Sequence, residues 1–236
     1  MATSFIHPAL ILIGGAFLLP FIKEPFRKLY LCSVPLLTFL DVLYLNWHPG
    51  THGVVLFMGE WTLTFGRVDT LSIIFGFIMA LMAIIGTVYG LHVRDNWQHI
   101  AAWFYVAGSL GVIYSGDYLV LFLFWEMMAF ASTFLIWFNT DKGALAAGYR
   151  YLLVHTFGGV LLLLGFVLRY QATGDLSFGQ LDEQNTQLFT WLIMAGLMLN
   201  AAVPPLHSWL PDAYSKATVT GAVFMCAFTT KTAVYT

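Results

Sequence analysis

Glu126 stands in the middle of the apolar run Tyr118–Trp137. An acidic side chain at the centre of a membrane helix costs about 2.5–3.5 kcal/mol on insertion scales, so such residues are rare and point to function. Glu126 lies nine residues after Asp117. That is about 14 Å along a helix rising ~1.5 Å per residue, near the middle of a ~30 Å hydrocarbon core. A carboxyl at that depth can take up and release a proton. The plainer alternative is a neutral carboxyl held by a neighbouring helix. Lys231 lies thirteen residues into the last apolar run, flanked by Thr229, Thr230 and Thr232. Their hydroxyls can order water and help to pass a proton. Snorkelling is the alternative for the lysine, but the headgroup region lies far from that depth for one side chain.

The stretch Leu199–Tyr214 holds the next group of candidates, Asn200, Pro204, Pro205, His207 and Asp212. Each proline removes a backbone donor and crowds the preceding turn. Carbonyls freed inside a membrane must find protein or water partners, and transporters use such breaks at midplane binding sites. His207 follows the break and titrates in the range a proton relay needs. An interfacial, hydrogen-bonded histidine is its plain alternative. His155, beside Tyr151 and Thr156, can extend a polar file between Glu126 and Lys231, or serve as a satisfied core histidine. Asp41 sits towards one end of its apolar run and reads as structural or interfacial.

These residues need a membrane bundle to position them. Of the 236 residues, 59% are hydrophobic and 9% charged, whereas soluble domains are about 25% charged. An all-α fold follows: a polytopic membrane helix bundle of about eight apolar spans. The spans fall near 8–22, 28–46, 68–91, 98–114, 117–138, 148–170, 187–203 and 218–236, the seventh broken by Pro204-Pro205. With the N-terminus outside, inner loops carry Lys23, Arg27, Lys28, Arg94, Lys142, Arg150 and Lys216, and outer loops only Arg67 and Arg169. That positive-inside bias predicts a multi-pass protein of the inner (plasma) membrane with a periplasmic or exterior N-terminus. The outer loop 171–186 adds Asp175, Asp182 and Glu183.

The longest loop, about 47–67, carries Trp47, His48, His52, Glu60 and Trp61. Its tryptophans suit the interface, and its histidines read as solvated rather than as metal ligands. Cys32 and Cys226 lie in apolar runs without metal-ligand spacing and read as buried small hydrophobes. No cofactor motif is present, and a net charge of −2 without a basic tail argues against nucleic acid. The N-terminus lacks a basic region and a small-residue cleavage site, so it reads as mature protein.

The runs Phe124–Met128, Pro205–Ala213 and Thr229–Tyr235 together resemble the antiporter-like membrane subunits. That family is shared by respiratory complex I (NADH:quinone oxidoreductase), Mrp-type Na+/H+ antiporters and membrane-bound hydrogenases, and the likeness is closest to the branch of the Mrp D-type subunits. The resemblance implies a fold of inverted repeats crossed at mid-depth by a file of glutamate, lysines, histidines and water. It assigns residues 1–96 to three leading helices and 97–236 to the first repeat, truncated at its C-terminus, within a single membrane domain. A separate chain or missing segment would supply the second repeat. It further implies that Glu126 pairs with a lysine on the broken helix, and that Lys231 carries the proton onward. The lysine position is Asn200 here, so the usual pair is missing. Lys231, Arg150 or a protonated His155 are the candidate replacements.

Two functions therefore stand as expectations. One is a subunit of a multisubunit membrane complex, without a cofactor or redox centre of its own, that translocates protons and has sodium as the second candidate ion. The other is a scaffold subunit of a complex I-like or hydrogenase-type assembly that has lost transport. A quinone-interacting subunit is a weaker third, since the aromatic residues are spread through all the spans.

Overall fold

The protein is described by a computed structural model covering residues 5–57, 61–179 and 187–236. Glu60, Asp182 and Glu183 lie outside the described residues. The chain runs α1 (Pro8–Leu18), α2 (Glu24–Asn46), β1 (Gly50–Phe57), β2 (Trp61–Val68), α3 (Thr70–Tyr89), α4 (Asn96–Tyr114), α5 (Tyr118–Trp137), α6 (Ala144–Thr173), α7 (Leu188–Asn200), α8 (Trp209–Lys216) and α9 (Val219–Tyr235).

Among the described residues, four helical segments are long and apolar enough to cross a membrane: Glu24–Asn46, Thr70–His92, Tyr118–Trp137 and Ala144–Thr173. Pro8–Phe21 and Leu188–Asn200 are shorter apolar helices. The expected spans match these elements and α4 and α9, with one addition: the break after α7 leads into the short α8. The two cysteines differ from expectation. Cys32 is half-buried and Cys226 exposed, because an apolar run in a membrane bundle also has an outward face that no protein covers.

The segment expected as a long loop is instead an antiparallel hairpin, with Gly50 opposite Val68 and Phe57 opposite Trp61. The alternation Trp61-Thr-Leu-Thr-Phe65 has the period of two that suits a strand with one face packed. The hairpin is tied down at the turn between α4 and α5. There the Gly116 N–H donates to the Thr64 carbonyl (2.9 Å), and the Thr64 N–H donates to Asp117 Oδ2 (2.6 Å). Asp117 also caps α5, accepting from the Val120 N–H at 2.8 Å, as an N-terminal acid should.

At the centre stands α4, buried on nearly every side from Ala101 to Tyr114. It packs against α1, α3, α5 and α9. Small residues, Ala101, Ala102, Ala107, Gly108 and Gly111, allow this, since close helix approach in a membrane relies on them. On the flank, α5, α7 and α8 pack on α6. The outward faces of α3 and α6 expose Ile74, Ile78, Ile85, Leu153, Phe157 and Val160, an apolar surface suited to lipid or to neighbouring subunits.

Candidate functional site

The carboxyl of Glu126 points from α5 at α6 and comes to rest against Gly159, so closely that a Cβ there would overlap Oε1. Its neighbour Gly158 receives the side chain of Asn200, whose Nδ2 stands 2.7 Å from where a Cβ would be. Two consecutive glycines on α6 thus seat the acid of α5 and the amide of α7 side by side.

Asn200 is 1% exposed and ends α7. Its Nδ2 donates to the Gly196 carbonyl at 2.9 Å, and its Oδ1 has no partner. Beside it lies His155, also 1% exposed, with Nε2 unpartnered. The His155 ring lies 4.1 Å from that of Tyr151 and 4.5 Å from that of Trp209, centroid to centroid.

From Tyr151 the polar line continues through hydroxyls. Tyr151 Oη and Ser132 Oγ are 2.9 Å apart. Thr229 lies near Tyr151 and Tyr214, and its Oγ1 is 2.5 Å from Tyr105 Oη. One turn further, Ser109 and Thr232 hydroxyls meet at 2.7 Å. The line joins α7, α6, α5, α9 and α4 in the buried interior. Its members are all neutral or neutralisable, and a histidine, hydroxyls and bound water are the groups that relays use.

Broken backbone beside this line is satisfied locally. Where α7 stops, the Leu199 carbonyl accepts from the Ala202 N–H at 3.2 Å and from the Trp209 indole N–H at 3.0 Å. Val203 donates instead to Met198 (3.0 Å). Pro204 and Pro205 fall in the turn that follows, exposed, as is His207. His207 therefore stands outside the buried line.

Lys231 does not meet Glu126. It is exposed on α9, donates to the Cys226 carbonyl and lines a groove with Phe75, Met79 and Met82 of α3. Thr229 and Thr232 turn inward on the opposite side of the helix, so the lysine and the threonines read together in the sequence part company. Arg150 is no partner for Glu126 either. It holds Asp212 by two bonds of 2.7 and 2.9 Å, and these hold the Asp212 carboxyl below its usual range. Among the described residues, the ion pairs are this one and Arg67–Asp69, so Glu126 has no salt-bridge partner there.

Residues 115–236, just over half of the chain, match the NADH:quinone oxidoreductase/Mrp antiporter transmembrane family. The chain belongs to this family. Glu126, His155, Asn200 and Lys231 all fall inside the matched stretch, and a multi-pass membrane protein is what the family and the apolar helices together make of it. Over 245 residues the chain is 29% identical to the A-type subunit of the Na(+)/H(+) antiporter of Alkalihalophilus pseudofirmus, covering 93% of this chain and 30% of that protein. Over 164 residues it is 28% identical to NADH-quinone oxidoreductase subunit N of Deinococcus radiodurans, covering 65% of this chain and 33% of that protein. A chain of the Mrp complex from Dietzia sp. has the same fold, with a TM-score of 0.83 at 21% identity, over 97% of this chain and 46% of that one. The chain thus spans about a third of the length of these curated relatives.

One expectation within the family is corrected. The motifs point to the D-type branch, but the antiporter relatives found are A-type subunits. The runs at 124–128, 205–213 and 229–235 all lie inside the shared stretch, so they mark the family without sorting its branches.

Reading the family's acid and base positions alone passes over Tyr105, Ser109, Ser132 and Trp209. A signal for some of them exists. Tyr105 and Ser109 are four apart and Thr229 and Thr232 three apart, spacings that put each pair on one helix face.

Proposed function

We propose that this chain is the ion-translocating, antiporter-like part of a multisubunit membrane complex, moving protons, with sodium as the candidate counter-ion. The observation that carries this is the seat of Glu126 against Gly159, beside Asn200 and at the head of a buried line through His155, Tyr151 and Thr229. An acid kept at mid-helix without a salt bridge is expensive unless its proton exchange is used. The printed names of the relatives, Na(+)/H(+) antiporter and NADH-quinone oxidoreductase subunits, support the same class of activity.

In this reading Glu126 binds and releases the proton. His155 and Asn200 with bound water connect it to the hydroxyls, and Lys231 on α9 passes it to whatever packs on its exposed side. His207 and the prolines at 204 and 205 shape the exit of α7. Residues 1–96 form the leading helices and 97–236 a first repeat. Other membrane subunits, or a further segment carrying the second repeat, complete the path. The N-terminus faces the exterior of the inner (plasma) membrane.

A second reading has a specific observation behind it: among the described residues Glu126 has no salt-bridge partner, and the neighbouring position is the neutral Asn200. A scaffold subunit that no longer transports would look the same there. Inverted vesicles carrying the complete parent complex separate the two. Loss of pH-gradient formation in Glu126→Gln, with the complex still assembled, supports transport. An unchanged gradient makes the chain a scaffold. Repeating the assay with and without sodium tests the counter-ion.

A further inference from the structure

The turn Val93–Asp95 joins α3 to α4. It lies at the end of the bundle away from the hairpin, which meets the other end of α4 at Gly116. Two buried side chains hold this turn. From α2, Arg27 Nη2 donates to the Val93 carbonyl at 2.8 Å and to the Arg94 carbonyl at 3.1 Å, and Arg27 Nε donates to Asn96 Oδ1 at 2.8 Å. From the first turns of α4, His99 Nε2 stands 3.1 Å from the same Val93 carbonyl. Both residues are 4% exposed.

The shared acceptor fixes the chemistry of the histidine. A carbonyl only accepts, so Nε2 is the donor and carries the hydrogen of the neutral ring. Nδ1 is then the nitrogen that takes a second proton. It faces Gly90 at the end of α3, 3.9 Å from where a Cβ would be. Bonds of 2.8 and 3.1 Å to one oxygen leave Arg27 Nη2 and His99 Nε2 no more than about 6 Å apart. Like charges that close, away from water, repel. Arg27 stays charged, so a proton on His99 sets two cations on one carbonyl.

The groups facing His99 offer little to offset this. From α5 and α9 they are Leu135, Thr218, Thr220, Gly221 and Phe224, none of them titratable. Asp95 is exposed and engaged as the cap of α4, accepting from the Trp97 N–H at 3.0 Å. His92 and Arg94 are exposed and add no negative charge. On α2, Glu24 and Lys28 flank Arg27 and are exposed. Among the described residues, neither Arg27 nor His99 forms an ion pair with an acid.

We propose that Arg27, His99 and the Val93 carbonyl form a pH-sensitive latch on the turn between α3 and α4. With His99 neutral, both donors share the carbonyl, and α2, α3 and α4 are fastened together. With His99 protonated, repulsion from Arg27 releases the ring from Val93 and leaves the turn on Arg27 alone. The latch stands apart from the Glu126 line and does not depend on Glu126 carrying protons.

Hydrogen exchange of the full parent protein in lipid, corrected for the intrinsic pH dependence of exchange, tests it. Loss of one hydrogen bond predicts that protection at residues 90–98 falls about fivefold between about pH 8 and about pH 5, while that of the centre of α4 holds. His99→Gln keeps a neutral donor beside Val93 and cannot take the proton, so its protection should not change over this range. Arg27→Gln removes the opposing charge, so a protonated His99 keeps its bond; protection should be lower throughout and flat with pH. This variant carries the test if His99→Gln does not fold. Wild-type protection that is flat with pH overturns the proposal. So does a pH-dependent loss that persists in either variant, which would place the titrating group elsewhere, at Asp95 first.

Discussion

Glu126 and Asn200 meet α6 at adjacent glycines, Gly159 and Gly158. One comes from α5 and the other from α7, and the missing side chains on α6 are what let both reach the bundle interior. A small residue at either position does more than ease packing, because it is the floor on which the acid or the amide rests.

Gly159→Ala should therefore act as a mutation of Glu126. The new methyl overlaps the carboxyl, and overpacking of this kind costs about 1–3 kcal/mol. The expected outcome is a modestly lower melting temperature with pH-gradient formation reduced to the level of Glu126→Gln. Normal transport in a well-folded Gly159→Ala complex would detach the carboxyl's seat from its function.

Asn200→Lys puts a cation into a site that is 1% exposed, with Glu126 seated on the neighbouring glycine. The lysine should be tolerated while Glu126 can pair with it. Adding Glu126→Gln strands the charge, and an unpaired member of a buried pair costs about 3–5 kcal/mol. Thermal unfolding of both variants in detergent measures the difference; equal melting temperatures would mean that the two positions do not couple.

Trp209→Phe removes the indole donor from the Leu199 carbonyl (3.0 Å) while keeping most of the ring against Tyr151 and His155. A net loss of about 1 kcal/mol is expected from one hydrogen bond, and the break after α7 should open first. Hydrogen exchange at residues 199–206 checks this: protection there should fall while that of α4 is unchanged.

The Arg150–Asp212 pair predicts a pH dependence of stability. Hydrogen bonds from Arg150 hold the Asp212 carboxyl below its usual value of 3.8. The folded state then binds the proton less readily than the unfolded chain, so the stabilisation is present above about pH 3.8 and is lost as pH falls through the lower folded value. Arg150 is exposed and Asp212 partly so, so the effect is small and shrinks in salt. Melting curves against pH should flatten at the acidic end in Arg150→Ala, and high salt should mimic the variant.

Some of this protein was legible from the sequence alone. Long apolar runs with sparse charge determined the helical membrane class, because only helices or closed barrels satisfy their backbone in lipid. The isolated acid in Tyr118–Trp137, the proline pair and the three family runs marked Glu126, Asn200 and Lys231, and a lone histidine inside an apolar span marked His155. Tertiary structure alone decided which of them meet. Lys231 and Thr229 are two residues apart, yet helix geometry turns them to opposite sides, and the threonine, not the lysine, joins the interior line. Arg150 is taken by Asp212 across 62 residues. The hairpin went unread because its alternation is short and its packing partner, the turn at Gly116, lies far along the chain. Identity and spacing constrain a residue's own helix, whereas contacts between helices depend on glycines whose importance lies in what they leave empty. Gly158 and Gly159 carry no chemistry of their own, and only the packed bundle reveals which side chains fill the space above them.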